Sequence, residues 1–131
     1  MIVVDASAIL ELLLNTTTGS RVAARLFAGG ETLHAPHLLD LEVAQVLRRY
    51  SRSGELSPER SREALLDFLD LPVNRYPHDL LLNRIWELRH ILTAYDAAYV
   101  ALAEALGAPL LTRDQRLAST AGHVAEICQI R

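Results

Sequence analysis

A chain of 131 residues, half of them apolar, is long enough for one domain with a real core and too apolar to be disordered. Its net charge of −3 argues against a protein that grips nucleic acid with its whole surface. Every one of its 13 basic residues is arginine, which excludes chemistry that needs a lysine, such as a Schiff base, a P-loop or a phospho-aspartate receiver site in its usual form.

No apolar run approaches the ~20 residues of a membrane helix. The N-terminus enters the first strand directly, with no basic leader region. Cys128 stands alone and can form no internal disulfide. Together these features predict a soluble cytoplasmic protein.

In chain order, residues 2–5 (Ile-Val-Val-Asp) form a short apolar strand, and 6–14 form a helix that residues 15–19 break. A second helix over 20–28 ends at Gly29-Gly30, and 32–35 is a short strand. Pro36 opens a long helix to about residue 52, with Ser53-Gly54 as its stop. Ser57-Pro58-Glu59 starts another, running to about residue 69. A strand over 73–76 precedes Pro77; helices follow over 79–92 and 95–106, the second stopped by Gly107. A strand over 109–112, a short helix over 114–119 and a strand over 124–129 close the chain. No repeat, low-complexity tract or linker interrupts it, so residues 1–131 read as one domain. Strands alternating with helices predict an α/β fold whose parallel sheet is covered on both faces.

Four acids sit where a plain core would not place them. Asp5 ends the first strand, Glu42 lies on the shoulder of the apolar stripe of its helix, Asp96 opens the helix over 95–106, and Asp114 follows the strand over 109–112. Each has a local role open to it. Asp5 and Asp114 can cap the helices after them, Thr93-Ala-Tyr-Asp96 resembles a capping box, and Glu42 can pair with Arg49. Asp5 and Asp114 nevertheless share the carboxyl edge of the sheet, where open α/β folds bind ligands, and Asp96 heads a helix that packs beside them. Gathered carboxylates raise one another's pKa values, and a divalent cation relieves that repulsion. An all-oxygen acidic site suits Mg²⁺ or Mn²⁺, and such a site hydrolyses phosphodiesters.

The order and setting of these acids resemble the PIN domain, specifically the VapC toxins of bacterial toxin–antitoxin pairs. The matching pieces are Ile2-Val3-Val4-Asp5-Ala6-Ser7-Ala8, Leu41-Glu42-Val43, Leu92-Thr93-Ala94-Tyr95-Asp96-Ala97-Ala98-Tyr99 and Leu111-Thr112-Arg113-Asp114, with the acids 37, 54 and 18 residues apart. The resemblance spans essentially the whole chain. It implies a PIN-like α/β/α sandwich with a short five-stranded parallel sheet and about seven helices. It also implies Mg²⁺ (or Mn²⁺) bound by Asp5, Glu42, Asp96 and Asp114, endoribonuclease activity on RNA such as tRNA or rRNA, a homodimer or toxin–antitoxin hetero-oligomer, and a small VapB-like antitoxin.

Ser7 and Thr112 can orient the acids or meet substrate phosphate, or serve only as local caps. Arg113 can meet a phosphate or form a surface ion pair. Asp40 reads as a solvated first-turn acid and Cys128 as a small buried residue. The five histidines lack zinc spacing. Arg48, Arg49, Arg52, Arg60 and Arg62 form a local basic excess that suits an RNA backbone or a solvated helix face. Two other readings of the chain stay open: a PIN-like module that binds RNA or protein without cutting, and a receiver-like signalling domain. The missing lysine, and the lack of an adjacent acidic pair after the first strand, count against the receiver.

Overall fold

The computed structural model describes residues 1–130. Five strands, β1 (Ile2–Val4), β2 (Leu33–Pro36), β3 (Val73–Tyr76), β4 (Leu110–Thr112) and β5 (Ile127–Gln129), pair in parallel in the order β3-β2-β1-β4-β5. Seven α-helices accompany them among the described residues: α1 (Ala6–Leu13), α2 (Thr17–Phe27), α3 (Leu38–Ser53), α4 (Pro58–Asp70), α5 (Leu82–Glu87), α6 (Ala94–Leu106) and α7 (Gln115–Ser119). Ile2, Val3 and Val4 are all fully buried. Successive strand residues point to opposite faces, so both faces of the sheet are covered and the layers are α/β/α.

The chain winds outward from β1 in both directions, to β2 and β3 on one side and to β4 and β5 on the other. The carboxyl ends of β1 and β4 therefore flank the point where the winding reverses, and a crevice opens there in such sheets. Helix α6 packs across β1, β2 and β4. It is buried continuously from Ala97 to Ala103, as its all-round apolar sequence predicts. Gly107, at φ 60°, ends it in the left-handed conformation that costs glycine nothing. Helix α2 begins earlier than predicted because Thr16 caps it, accepting the Gly19 N–H at 2.9 Å. Gly19 also lets α2 approach α1: a Cβ there would lie 2.3 Å from the Glu11 carbonyl oxygen.

Besides the earlier start of α2, β5 begins only at Ile127 rather than at residue 124, and two further elements differ from the sequence reading. Pro36 ends β2 opposite Tyr76 instead of opening a helix; the next donor, the His37 N–H, goes to the Tyr76 carbonyl at 2.9 Å, and α3 starts at Leu38. The predicted helix over 79–92 is a 3₁₀ turn (Asp79–Leu81) followed by the six-residue α5. Leu81, Ile85 and Leu88 are buried, while Leu80, Leu82 and Trp86 are exposed. Arg89 helps to end it, donating to the Trp86 carbonyl at 2.9 Å while its guanidinium lies 4.6 Å from the Trp86 ring centroid. Cys128 is only partly buried, on the edge strand β5.

Candidate active site

Asp5 follows β1 directly and caps α1, its Oδ1 accepting the Ala8 N–H at 3.1 Å and the Ser7 hydroxyl at 2.6 Å. Its Oδ2 accepts the hydroxyl of Thr112, the last residue of β4. The residue is 8% exposed and Thr112 is fully buried, so this carboxylate is held rigidly inside the fold. The same two hydroxyls organise the chain after β4. Ser7 Oγ accepts the Arg113 N–H and Thr112 Oγ1 accepts the Asp114 N–H, both at 2.9 Å. Asp114 then caps α7, accepting the Arg116 N–H at 2.9 Å and the Leu117 N–H at 3.4 Å. The carboxyl ends of β1 and β4 are thereby knitted into one polar layer at the reversal point.

Glu42, from α3, and Asp96, from the first turn of α6, complete the cluster. Thr93 caps α6 by accepting the Asp96 N–H at 3.2 Å, which fixes the backbone that carries that acid. Glu42 does not pair with Arg49; its Oε1 accepts the Tyr99 hydroxyl at 2.6 Å. Tyr99 was not legible as a site residue in the sequence. The available signal was its position three residues after Asp96, one helical turn along the same face.

The capping roles of Asp5 and Asp114 are realised, and the electrostatics couple Asp5, Glu42 and Asp96 to acids of the same edge. Burial pushes the Asp5 carboxyl above the usual carboxylate range, against the pull of its hydrogen bonds, and the charge of Asp114 adds to the rise. Glu42 is raised by burial, with Asp5 and Asp96 adding to the rise. Asp96 is raised by burial and then by Asp114, while Arg116 opposes the shift. Asp5, Glu42 and Asp96 thus each feel the charge of another acid, though burial is the larger cause in all three. Tyr99 is raised too, by burial first and then by its bond to Glu42, and remains a hydrogen-bond donor.

The donors are all oxygens, the chemistry of a hard divalent cation. Among the described residues, no three carboxylate, imidazole or thiol side chains gather closely enough to enclose a metal ion. Mg²⁺ does not require such a cage, since it keeps several waters and is held through one or two carboxylates together with substrate phosphate. The donor set and the excess of negative charge, offset in part by Arg116 at 3.5 Å from Asp114, fit that ion.

Beside the acids lies an open groove of about 670 Å³ between α1 and α3, lined by Glu42, Leu41, Tyr95, Arg49 and Arg113 among others. Leu41 and Tyr95 are largely exposed. Arg113 is engaged by Glu11 at 2.6 Å, so the surface ion pair is realised. Glu11, which also accepts the Thr16 hydroxyl, is a second residue that sequence reasoning missed. Asp40 is not merely solvated but paired with Arg75 at 2.7 Å. Of the arginines over 48–62, Arg60 is tied to the Leu13 carbonyl at 2.8 Å, and Arg48, Arg49, Arg52 and Arg62 have no ion pair among the described residues.

Residues 2–123 match the PIN domain family. The chain is 47% identical over 127 residues to Ribonuclease VapC12 of Mycobacterium tuberculosis, covering 97% of each chain. It is 50% identical over 120 residues to Ribonuclease VapC9 of the same species, covering 92% of this chain and 91% of the other. Among solved structures, its fold is similar to a chain of VapBC2 from Rickettsia felis bound to a DNA fragment from their promoter, with a TM-score of 0.70 at 15% identity, covering 98% of this chain and 100% of that one.

Proposed function

The chain belongs to the PIN-domain family, and within it to the VapC ribonucleases, and on that premise we propose that it is a metal-dependent endoribonuclease, the toxin of a toxin–antitoxin pair. One observation supports the chemistry above all others. Four carboxylates, from the residue after β1, from α3, from α6 and from the turn after β4, line the reversal point of the sheet, and three of them are held above their ordinary pKa. An arrangement so costly to the empty protein has a purpose if a cation and a phosphate complete it.

Asp5, Glu42, Asp96 and Asp114 would hold Mg²⁺, or Mn²⁺ in its place. When bound, the ion supplies the positive charge that activates water and stabilises the oxygens around phosphorus. Ser7 and Thr112 fix the orientation of Asp5, and Thr112 also fixes the turn that carries Asp114. Arg113, held by Glu11 at the rim, faces the groove where the rest of the RNA strand would lie. A VapB-like antitoxin is the proposed partner, and the exposed Leu41 and Tyr95 beside the acids offer it an apolar seat. A homodimer is proposed as well, supported by the exposed Leu82 and Trp86 of α5. Among the described residues no helix is long and apolar enough to cross a membrane.

The test is cleavage of total cellular RNA by antitoxin-free protein, with 5′ ends mapped, in Mg²⁺, in Mn²⁺, in EDTA and with Asp96→Asn. Discrete cuts that vanish with EDTA and with the substitution are expected. Cuts that survive both would remove the acids from the chemistry, and no cuts at all would leave a binding module.

A further inference from the structure

We propose that Tyr99 is a positioning residue that holds one oxygen of Glu42 and so favours single-oxygen contact by that carboxylate, biasing the site toward small octahedral cations over Ca²⁺; this rests on the reading of the acidic cluster as a cation site. Tyr99 is 2% exposed and its hydroxyl donates to Glu42 Oε1 at 2.6 Å. Glu42 Oε2 accepts no hydrogen bond among the described residues. The two oxygens of one carboxylate therefore have separate employment, Oε1 bound to the protein and Oε2 free.

The bond is set by packing. Tyr99 lies in the continuously buried stretch of α6, where close packing restrains its ring. Helix α6 thus carries one acid of the cluster, Asp96, and one turn later the phenol that orients another acid 57 residues distant in sequence. The hydroxyl compensates one oxygen of a half-buried carboxylate without neutralising it, which leaves its charge for the cluster.

The consequence for ions follows from coordination chemistry. Ca²⁺ accepts carboxylates through both oxygens and tolerates irregular shells of six to eight ligands. Mg²⁺ demands a near-ideal octahedron, and a carboxylate gripping it through both oxygens distorts that shell. A Glu42 whose Oε1 already accepts the phenol would favour the single-oxygen contact through Oε2, since a second contact through Oε1 would compete with that hydrogen bond. Removing the phenolic hydroxyl frees the second oxygen and lets the carboxylate rotate.

Isothermal titration of Mg²⁺, Mn²⁺ and Ca²⁺ into wild type, Tyr99→Phe, Glu42→Gln and the double variant tests this, with melting temperature followed in EDTA. Phenylalanine keeps the ring, so Tyr99→Phe is expected to stay folded. Its Mg²⁺ and Mn²⁺ affinities should fall about ten- to a hundredfold while Ca²⁺ affinity falls less, narrowing the preference. In the Glu42→Gln background the same change should have little further effect, since both act through one carboxylate. An unchanged ratio of Mn²⁺ to Ca²⁺ affinity in Tyr99→Phe overturns the proposal, as does an equal loss with Glu42 already replaced. Wild-type protein that takes up none of the three ions overturns the cation site itself, a separate and recognisable failure.

Discussion

Asp40 and Glu42 stand two residues apart on α3 and meet opposite surroundings. Two residues turn a helix by about 200°, so the side chains leave on different faces. Asp40 faces β3, where Arg75 Nε reaches its two oxygens at 2.7 and 3.0 Å and the guanidinium lies over the Phe68 ring. Glu42 faces the reversal point of the sheet, where the nearby charges, Asp5 and Asp96, match its own and its partner is the neutral Tyr99 hydroxyl. An acid matched with a cation ties elements together. An acid gathered with like charges and partly dried is disfavoured as an anion, and the proposed cation would relieve that.

Replacing the acid on the unmatched side should have the largest effect and the more telling one. Glu42→Gln is expected to lower RNA cleavage on the order of a hundredfold while raising the melting temperature of the metal-free protein at neutral pH. The sign follows from the raised carboxyls. Asp5, Glu42 and Asp96 bind protons more tightly folded than unfolded. The stability they contribute is complete below the ordinary carboxylate range and is lost as pH rises through their raised values. Metal-free wild type should therefore lose stability on that approach to neutrality, and Glu42→Gln should lose less. Calorimetry in EDTA across this range checks it; parallel curves for the two proteins would show that the cluster imposes no such cost.

Thr112→Val acts on the unmatched side alone, loosening two of its acids at once. The hydroxyl it removes donates to Asp5 and accepts the Asp114 N–H in a fully buried position. Two buried groups lose a partner, and a loss of about 1–3 kcal/mol is expected, together with weaker cleavage because Asp5 and Asp114 are less well held. Urea unfolding and the cleavage assay measure the two separately. Full stability with full activity would mean that water or a neighbouring hydroxyl replaces the threonine.

Much of this frame was legible in the sequence because its signals are local. Asp5 directly after three apolar residues, Thr93 three before Asp96, and Ser57-Pro58 each announce a helix start within four residues, and each is found. That the carboxyl ends of β1 and β4 share one edge of the sheet followed from alternating strands and helices; that the two strands are neighbours did not. What escaped depends on distant partners. Tyr99 reads as one more core residue of an apolar helix until α3 is packed against α6. Pro36 looks like a helix opener until β3 supplies Tyr76 as its strand partner. The segment over 79–92 has enough apolar residues for a long helix, but Leu80, Leu82 and Trp86 stay outside, and the chain turns instead.

The smallest effect belongs to the matched acid. Asp40→Asn removes the charge that Arg75 meets, yet Asp40's side chain is 45% exposed and that of Arg75 28%, so solvent screens the pair. Arg75 keeps its contact with Phe68 and its bond to the Val73 carbonyl at 3.2 Å. A loss of less than about 1 kcal/mol is expected, shrinking further in high salt, with RNA cleavage unchanged. Measuring cleavage by Asp40→Asn beside Glu42→Gln makes α3 its own control: both variants delete one negative charge from the same helix, so net charge and solubility change alike. A comparable fall in cleavage for Asp40→Asn would mean that charge on α3, and not its placement at the sheet's reversal point, sets the activity.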